Sequence, residues 1–468
     1  MAADDDPTEV LGRGLEPALA EALGDEDLVV HGLERLSGGA SRETWSLVAR
    51  GPSVGERDLI LQRLRPGGTG GGPSMEVEDR LLAAARAAGV PVPDTVLDAA
   101  RAEAAGLGPA RVAARVPGEA LGPRLVRAER SEDERRALAR QLGAALAGIN
   151  RVDPTTVHEL EVAEPLDRVR DGLDLLDERR PALELGLRRL AATRPEQGPE
   201  AVVHGDFRVG NLLIDDSRLT AVLDWELAHR GDPVEDLGWI CGRAWRFGGD
   251  REAGGLVGLD DLLAGYADAG GRPVSVEAVR WWTAAGTLLW GLICAVQARR
   301  HLDGLVRSVE LAAIGRRVCE AEYDLLDLVL DDGGAASTDA PDKSPSPAPL
   351  EGAGGLHGRP TAAELVEAVR GHLAEEVAPG LEGSARFHTR VAAHALDVVE
   401  RELRLCPAQQ DAHASRLAAI GFADDVALAR AIRSDDLDDR PDVDAAVRAS
   451  VVDRPRVANP RWLHPPDA

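Results

Sequence analysis

The chain has 468 residues, 44% of them hydrophobic but only 3% aromatic, so Leu, Val and Ala must fill most of its interior. That length exceeds what one compact core usually serves, and two or three domains are expected. The formal net charge of −26 repels phosphate backbones and anionic lipid head groups, which argues against nucleic-acid and membrane-surface partners. The four cysteines, Cys241, Cys294, Cys319 and Cys406, form no Cys-x-x-Cys pair. Their scatter fits a reducing, cytoplasmic setting and argues against structural zinc or a disulfide framework. The opening Met-Ala-Ala-Asp-Asp-Asp-Pro is acidic and lacks an apolar stretch, so no signal peptide is expected.

In chain order, residues 9 to 23 read as a short helix within an N-terminal segment, 1–27. Residues 29 to 64 read as three strands, with Ser37-Gly-Gly-Ala-Ser-Arg as the loop between the first two. Backbone N–H groups of Gly38, Gly39 and Ser41 are the candidates to cover nucleotide phosphates, as a kinase glycine loop does. The later run from Gly67 to Gly72 lacks the Gly-Lys-Ser/Thr of a P-loop and reads as a plain loop. A helix over 75–88 and a strand over 110–117 complete a β-rich lobe, 28–118.

From 119 to 330 the text is mainly helical. Ser131 and Glu134 make a capping box for a helix running to Ile149. Strands are expected at 201–203, 211–214 and 221–224, and Asp232-Pro-Val-Glu signals a further helix start. Long amphipathic helices cover about 276–301 and 308–330. The apolar run from Trp281 to Val296 is short for a bilayer span and reads as a buried helix, its tryptophans as core. Residues 331–359 are Gly-, Ala-, Ser-, Pro- and Asp-rich without periodicity, which reads as a disordered linker. Pro360-Thr-Ala-Ala-Glu opens a helical domain, 360–468, and cutting within 335–355 is expected to release two independently folded pieces. His388 and His394, six residues apart, do not share a helix face and offer no metal site.

The chemistry concentrates in residues 204–226. His204-Gly-Asp-Phe-Arg-Val-Gly-Asn211 carries the Asp-to-Asn spacing of a kinase catalytic loop, and Asp224 falls where that scheme places a metal-binding Asp. Asp206 is the candidate to take the proton of a substrate hydroxyl. His204 joins it in the catalytic loop, as a buttress rather than a base. Asn211 and Asp224 offer the hard oxygen ligands that suit Mg²⁺. Asp232 and Asp236 read as structural, as a helix cap and a tie on the loop backbone. Glu226 would share the face of Asp224 on an extended strand. A kinase-like site also wants a third-strand cation paired with a helix Glu. Lys343 is the only lysine in the chain, so Arg63, or Gln62 with the register moved by one, takes that place, with Glu78 as the partner.

These motifs, with Leu59-Ile-Leu-Gln-Arg, Gly89-Val-Pro-Val-Pro and Gly231-Asp-Pro-Val-Glu-Asp-Leu, resemble the aminoglycoside phosphotransferase family and its choline-kinase-like relatives over roughly residues 28 to 330. The style is similar to the kinase-like domain attached to some acyl-CoA dehydrogenases. The resemblance implies an α+β, two-lobed protein-kinase-like fold with a β-rich N-lobe and a mainly helical C-lobe, followed here by a separate all-α helical domain. It implies ATP and Mg²⁺ as co-substrates and a small-molecule hydroxyl as acceptor. It makes Asp206 the catalytic base and Asn211 and Asp224 the metal ligands. Asn150 stands where such sequences often carry His. The tail resembles an uncharacterised helical domain found fused to such phosphotransferases.

Overall fold

The computed structural model describes residues 7–36, 42–65, 72–176, 178–330, 359–434, 437 and 440–464. The phosphate-loop candidates Gly38, Gly39 and Ser41, most of the 67–72 glycine run and most of the 331–359 linker lie outside the described residues.

The chain opens with α1 (Pro7–Leu23), β1 (Val29–Arg35), β2 (Arg42–Gly51), β3 (Gly55–Leu64), α2 (Met75–Ala87), β4 (Thr95–Leu97), α3 (Ala99–Ala104) and β5 (Ala110–Ala114). The five strands form one sheet in the order β1-β2-β3-β5-β4, antiparallel throughout. Side chains alternate across a strand, so Leu47, Ala49, Leu59 and Leu61 share one face. They bury there against Leu11, Leu15 and Leu19 of α1. The N-terminal helix therefore belongs to the core of the β-rich lobe.

Next come α4 (Gly122–Arg127), α5 (Glu132–Asn150), α6 (Pro165–Leu175), α7 (Pro181–Ala192), β6 (Ala201–Val203), β7 (Leu212–Asp215), β8 (Arg218–Val222), β9 (His229–Gly231), α8 (Glu235–Cys241) and α9 (Leu259–Asp268). The capping box of Ser131 and Glu134 forms as expected. The hairpin of β7 and β8 turns through Asp216, whose φ is 57°, a conformation Asp tolerates better than most residues. The third expected strand stops at Val222, two residues short, because Asp224 also adopts a left-handed φ of 63°. Last come α10 (Val276–Leu302), α11 (Val309–Ile314), α12 (Val318–Val329), α13 (Ala362–Gly371), α14 (Gly383–Ala419), α15 (Asp425–Arg433) and α16 (Pro441–Ala458). By length and composition α10 could cross a membrane, yet most of its apolar window is buried in the protein, Trp281 and Trp282 included.

Contacts divide the chain into two compact units. The first holds residues 1–163 and 197–279, and with them the whole candidate site. The second holds 164–196 and 280–468. The tail is all-helical, as expected, but the boundary anticipated near 330–360 is not the division the contacts make. Leu417, Ile420, Leu428, Ile432, Val443 and Val447 of the tail share one apolar core with Ala182 and Leu185 of α7 and Leu326 of α12. Ion pairs reinforce that core. Fully buried Glu322 takes two bonds from Arg454 at 2.8 and 2.7 Å and one from Arg180 at 3.2 Å, while Arg433 forks onto Glu184 at 2.9 and 2.8 Å.

Candidate active site

The loop between β6 and β7 is held from beneath by buried polar groups. Asp236, in the first turn of α8, accepts the N–H of His204 at 2.7 Å and that of Gly205 at 3.0 Å. Gly205 has a φ of 79°, and a Cβ there would lie 2.4 Å from the Leu227 carbonyl oxygen, so this position requires glycine. His204 is fully buried, and desolvation pushes its pKa down to about 3, so the ring is neutral. Its Nε2–H donates to the Leu223 carbonyl at 3.0 Å and its Nδ1 accepts the Asp206 N–H at 3.2 Å. A neutral imidazole with both nitrogens engaged is a buttress. Asp232 accepts the N–H groups of Val234 and Gly198 at 2.9 Å each and pairs with Arg272 at 3.0 Å. Asn150 spans α5, β6 and α9. It donates to the Val202 carbonyl at 2.9 Å and accepts the Tyr266 hydroxyl at 2.9 Å.

On that base the Asp206 carboxylate is clamped. Its Oδ1 accepts Arg208 Nε–H at 2.8 Å and Trp239 Nε1–H at 3.0 Å, and its Oδ2 accepts Asn211 Nδ2–H at 2.6 Å. Arg208 lies over the Trp245 ring, 4.7 Å from its centroid. Burial raises the Asp206 pKa against the pull of these donors. Asn211 also donates to the Asp206 main-chain carbonyl at 3.0 Å, and its own carbonyl accepts Leu223 N–H at 2.8 Å, which ties the catalytic loop to the Asp224 turn. Both amide donors are thus directed at Asp206, leaving the Asn211 Oδ1 as its acceptor.

Asp224 is pushed up to about 7, by desolvation first and then by the negative charges of Glu226 and Asp206. Glu226 reaches Asp224 through the left-handed turn rather than along an extended strand. Hard oxygen donors that crowd and repel one another are what a divalent cation relieves, so Asn211 and Asp224 fit a Mg²⁺ chemically. Among the described residues, no group of three or more His, Cys, Asp or Glu side chains is arranged to hold a metal ion by itself.

The β-sheet contributes cations, though not the one expected. Glu78 of α2 is fully buried and bonded to Arg42, at 2.8 Å through Nη1, and to Arg111. Arg63 instead pairs with Glu43 at 2.7 Å, so the Arg63–Glu78 pairing is corrected. Register explains the difference. Directly opposed residues share a face of the sheet. Arg63 stands opposite Glu43, whereas Gln62 stands opposite Arg111, and Arg42 stands opposite Leu64, two residues along β3 from Gln62. Gln62, Arg42 and Arg111 therefore share the face that meets Glu78. Arg42 also reaches Glu226 at 3.4 Å, linking this ion cluster to the Asp224 turn. Sequence reasoning missed Arg42, Arg111, Arg208 and Trp239. Arg208 lies inside the His204–Asn211 motif itself and Arg42 ends the 37–42 glycine loop, but nothing in the text of the chain marks Arg111 or Trp239.

A β-rich lobe with a helix Glu locked into arginines, a His-x-Asp-x-x-x-x-Asn loop and a following Asp turn define a protein-kinase-like phosphotransferase fold. The model of the phosphotransferase enzyme family matches residues 32–282, and the chain belongs to that family. A domain of unknown function matches residues 379–462. A solved structure from Ralstonia eutropha, provisionally named an aminoglycoside phosphotransferase, is similar at 22% identity with a TM-score of 0.53, covering 68% of this chain and 97% of that one. A macrolide 2'-phosphotransferase from Brachybacterium faecium shows 23% identity and a TM-score of 0.46 over 66% of this chain and 97% of that one. Acyl-CoA dehydrogenase family member 10 of Mus musculus is 41% identical over 63 residues, 13% of this chain. Family member 11 of Gallus gallus is 45% identical over 47 residues, 10% of this chain. Each of these two matches covers only 6% of the relative's length.

Proposed function

We propose that the protein is an ATP- and Mg²⁺-dependent O-phosphotransferase acting on a hydroxyl of a small molecule. The observation that carries this reading is the convergence of Asp206, Asn211 and Asp224 on one loop-and-turn unit, with the Asp224 carboxyl raised as in a site built for a cation. In this mechanism Asp206 orients the acceptor hydroxyl and takes its proton. The freed oxygen forms a bond to the γ-phosphorus as the bond from that phosphorus to the ADP oxygen breaks. Asn211 and Asp224 would hold Mg²⁺, which when bound neutralises phosphate charge. Gln62, Arg42 and Arg111 would face the nucleotide from the sheet, with Gly38, Gly39 and Ser41 as the covering loop, while Arg63 lies on the opposite face. A hydroxyacyl metabolite is the first acceptor to screen. Aminoglycoside-like antibiotics belong in the same screen.

Purified protein with Mg²⁺ and ATP should release ADP with one of these acceptors, and Asp206→Asn should lower kcat by roughly 10²–10⁴-fold while ATP still raises the Tm. The second reading is a nucleotide-binding regulatory module. The clamp on Asp206 by Arg208 and Trp239 favours it, since both donors oppose proton uptake. Nucleotide binding without turnover on any acceptor would establish the module and end the enzyme reading.

A further inference from the structure

The second unit contains a cavity of about 1200 Å³ between the 310–320 segment, the first half of α14 and the turn after α16. It uses no residue of the catalytic loop. Its wall is of two kinds. Phe387, Val391 and Val398 of α14 present an apolar surface, and Phe387 is 51% exposed. Arg386, Arg390 and His394, spaced four residues apart along the same helix, line it as a basic stripe. Neither Arg386 nor Arg390 has a carboxylate partner among the described residues. In a chain with 80 acidic and 54 basic residues, these two arginines one helical turn apart give the wall a local positive charge. Of the acids at the cavity wall, Glu320 is engaged by Arg317 at 2.9 Å and by Asn459 at 2.8 Å, while Glu310 stands at the rim, half exposed and 3.9 Å from His388. Arg316 is held by Glu402 at 2.6 Å.

We propose that this cavity binds a single-chain amphipathic anion, with the head group on Arg386 and Arg390 and the aliphatic tail against Phe387, Val391 and Val398. Guanidinium forks match carboxylate and phosphate oxygens alike. The apolar wall supplies the affinity that a bare anion would lack.

The test is calorimetric titration of the full chain with dodecanoate, dodecyl phosphate, butanoate and dodecyltrimethylammonium, each kept below its micelle concentration. Dodecanoate or dodecyl phosphate should bind with one site per chain, and butanoate and the cation at least tenfold more weakly. The double variant R386Q/R390Q should weaken binding at least tenfold at unchanged Tm, as both side chains are exposed, and Phe387→Asp should do so independently. The Tm shift with Mg²⁺ and ATP should be the same in R386Q/R390Q as in the parent protein, which separates this site from the catalytic one. Equal binding of the dodecyl cation, full binding by R386Q/R390Q, or binding only to anionic vesicles would overturn the proposal.

Discussion

At the residue scale the site depends on buried charges whose partners can be removed one at a time. Glu78 is enclosed with Arg42 and Arg111, so Glu78→Gln leaves two buried guanidinium groups without their shared carboxylate. We expect a loss of about 3–5 kcal/mol in urea unfolding, and a loss under about 1 kcal/mol would mean the cluster is solvated. Arg63→Ala, removing only a cross-strand partner of Glu43, should leave the ATP-induced Tm shift intact. Asp224 supports a pH prediction. Its carboxyl is raised from 3.8 to about 7 in the folded protein, so the native state holds a proton that the unfolded chain releases between those values. Stability from this group is therefore present at low pH and lost as pH rises towards 7. Without metal at pH 8, Asp224→Asn should stabilise the protein, by on the order of 1–4 kcal/mol, and should abolish any stabilisation by Mg²⁺. His204 slopes the other way. Its depressed pKa of about 3 removes stability as pH falls below 6.5, so the readout is the difference between parent and variant across pH. A variant as stable as the parent at pH 8 would show that Asp224 is not strained by its neighbours.

At the element scale, close approaches of backbone set the loops around the site. Gly72 has a φ of 140°, and a Cβ there would lie 2.1 Å from the Glu226 carbonyl oxygen. Gly72→Ala must therefore displace either the start of α2 or the turn that carries Asp224 and Glu226. We expect raised KM for ATP with Tm lowered by several degrees; unchanged values of both would show that the turn moves freely. The elements themselves were largely legible. The helix caps at Ser131 and Thr361 and the catalytic hairpin follow from local hydrogen bonding and turn chemistry, which a short stretch of sequence encodes. The helix that Asp232-Pro-Val-Glu signals starts two residues later than the Asp232 cap implies, at Glu235. Asp232 turns its oxygens to Gly198, Val234 and Arg272, and α8 begins at Glu235. Partners far along the chain decided that, and no local pattern encodes them.

At the scale of the whole molecule, the tail and the helices of 164–196 and 280–330 form one packed unit. Cutting within 335–355 should accordingly leave two fragments that co-elute on size exclusion, with the tail melting together with the helices of 164–196 and 280–330. This revises the expectation of independent pieces, and separation of the fragments without loss of structure would restore it. Arg454→Ala leaves buried Glu322 with Arg180 as its remaining ion-pair partner, and we expect about 3 kcal/mol of destabilisation. If that loss also lowers the temperature at which α7 and α12 open, as read by hydrogen exchange, the shared core is cooperative.

The sequence by itself pointed to the family and to the class of chemistry we propose. Phosphoryl transfer requires a few side chains at short, set intervals on one loop and one turn, and Asp206, Asn211 and Asp224 lie within 19 residues of each other. Which arginine meets Glu78, what clamps Asp206, and where the second unit begins were decided only by tertiary structure. Strand register, a tryptophan 33 residues beyond Asp206, and the apolar faces of helices more than 200 residues apart become neighbours only once the chain has folded.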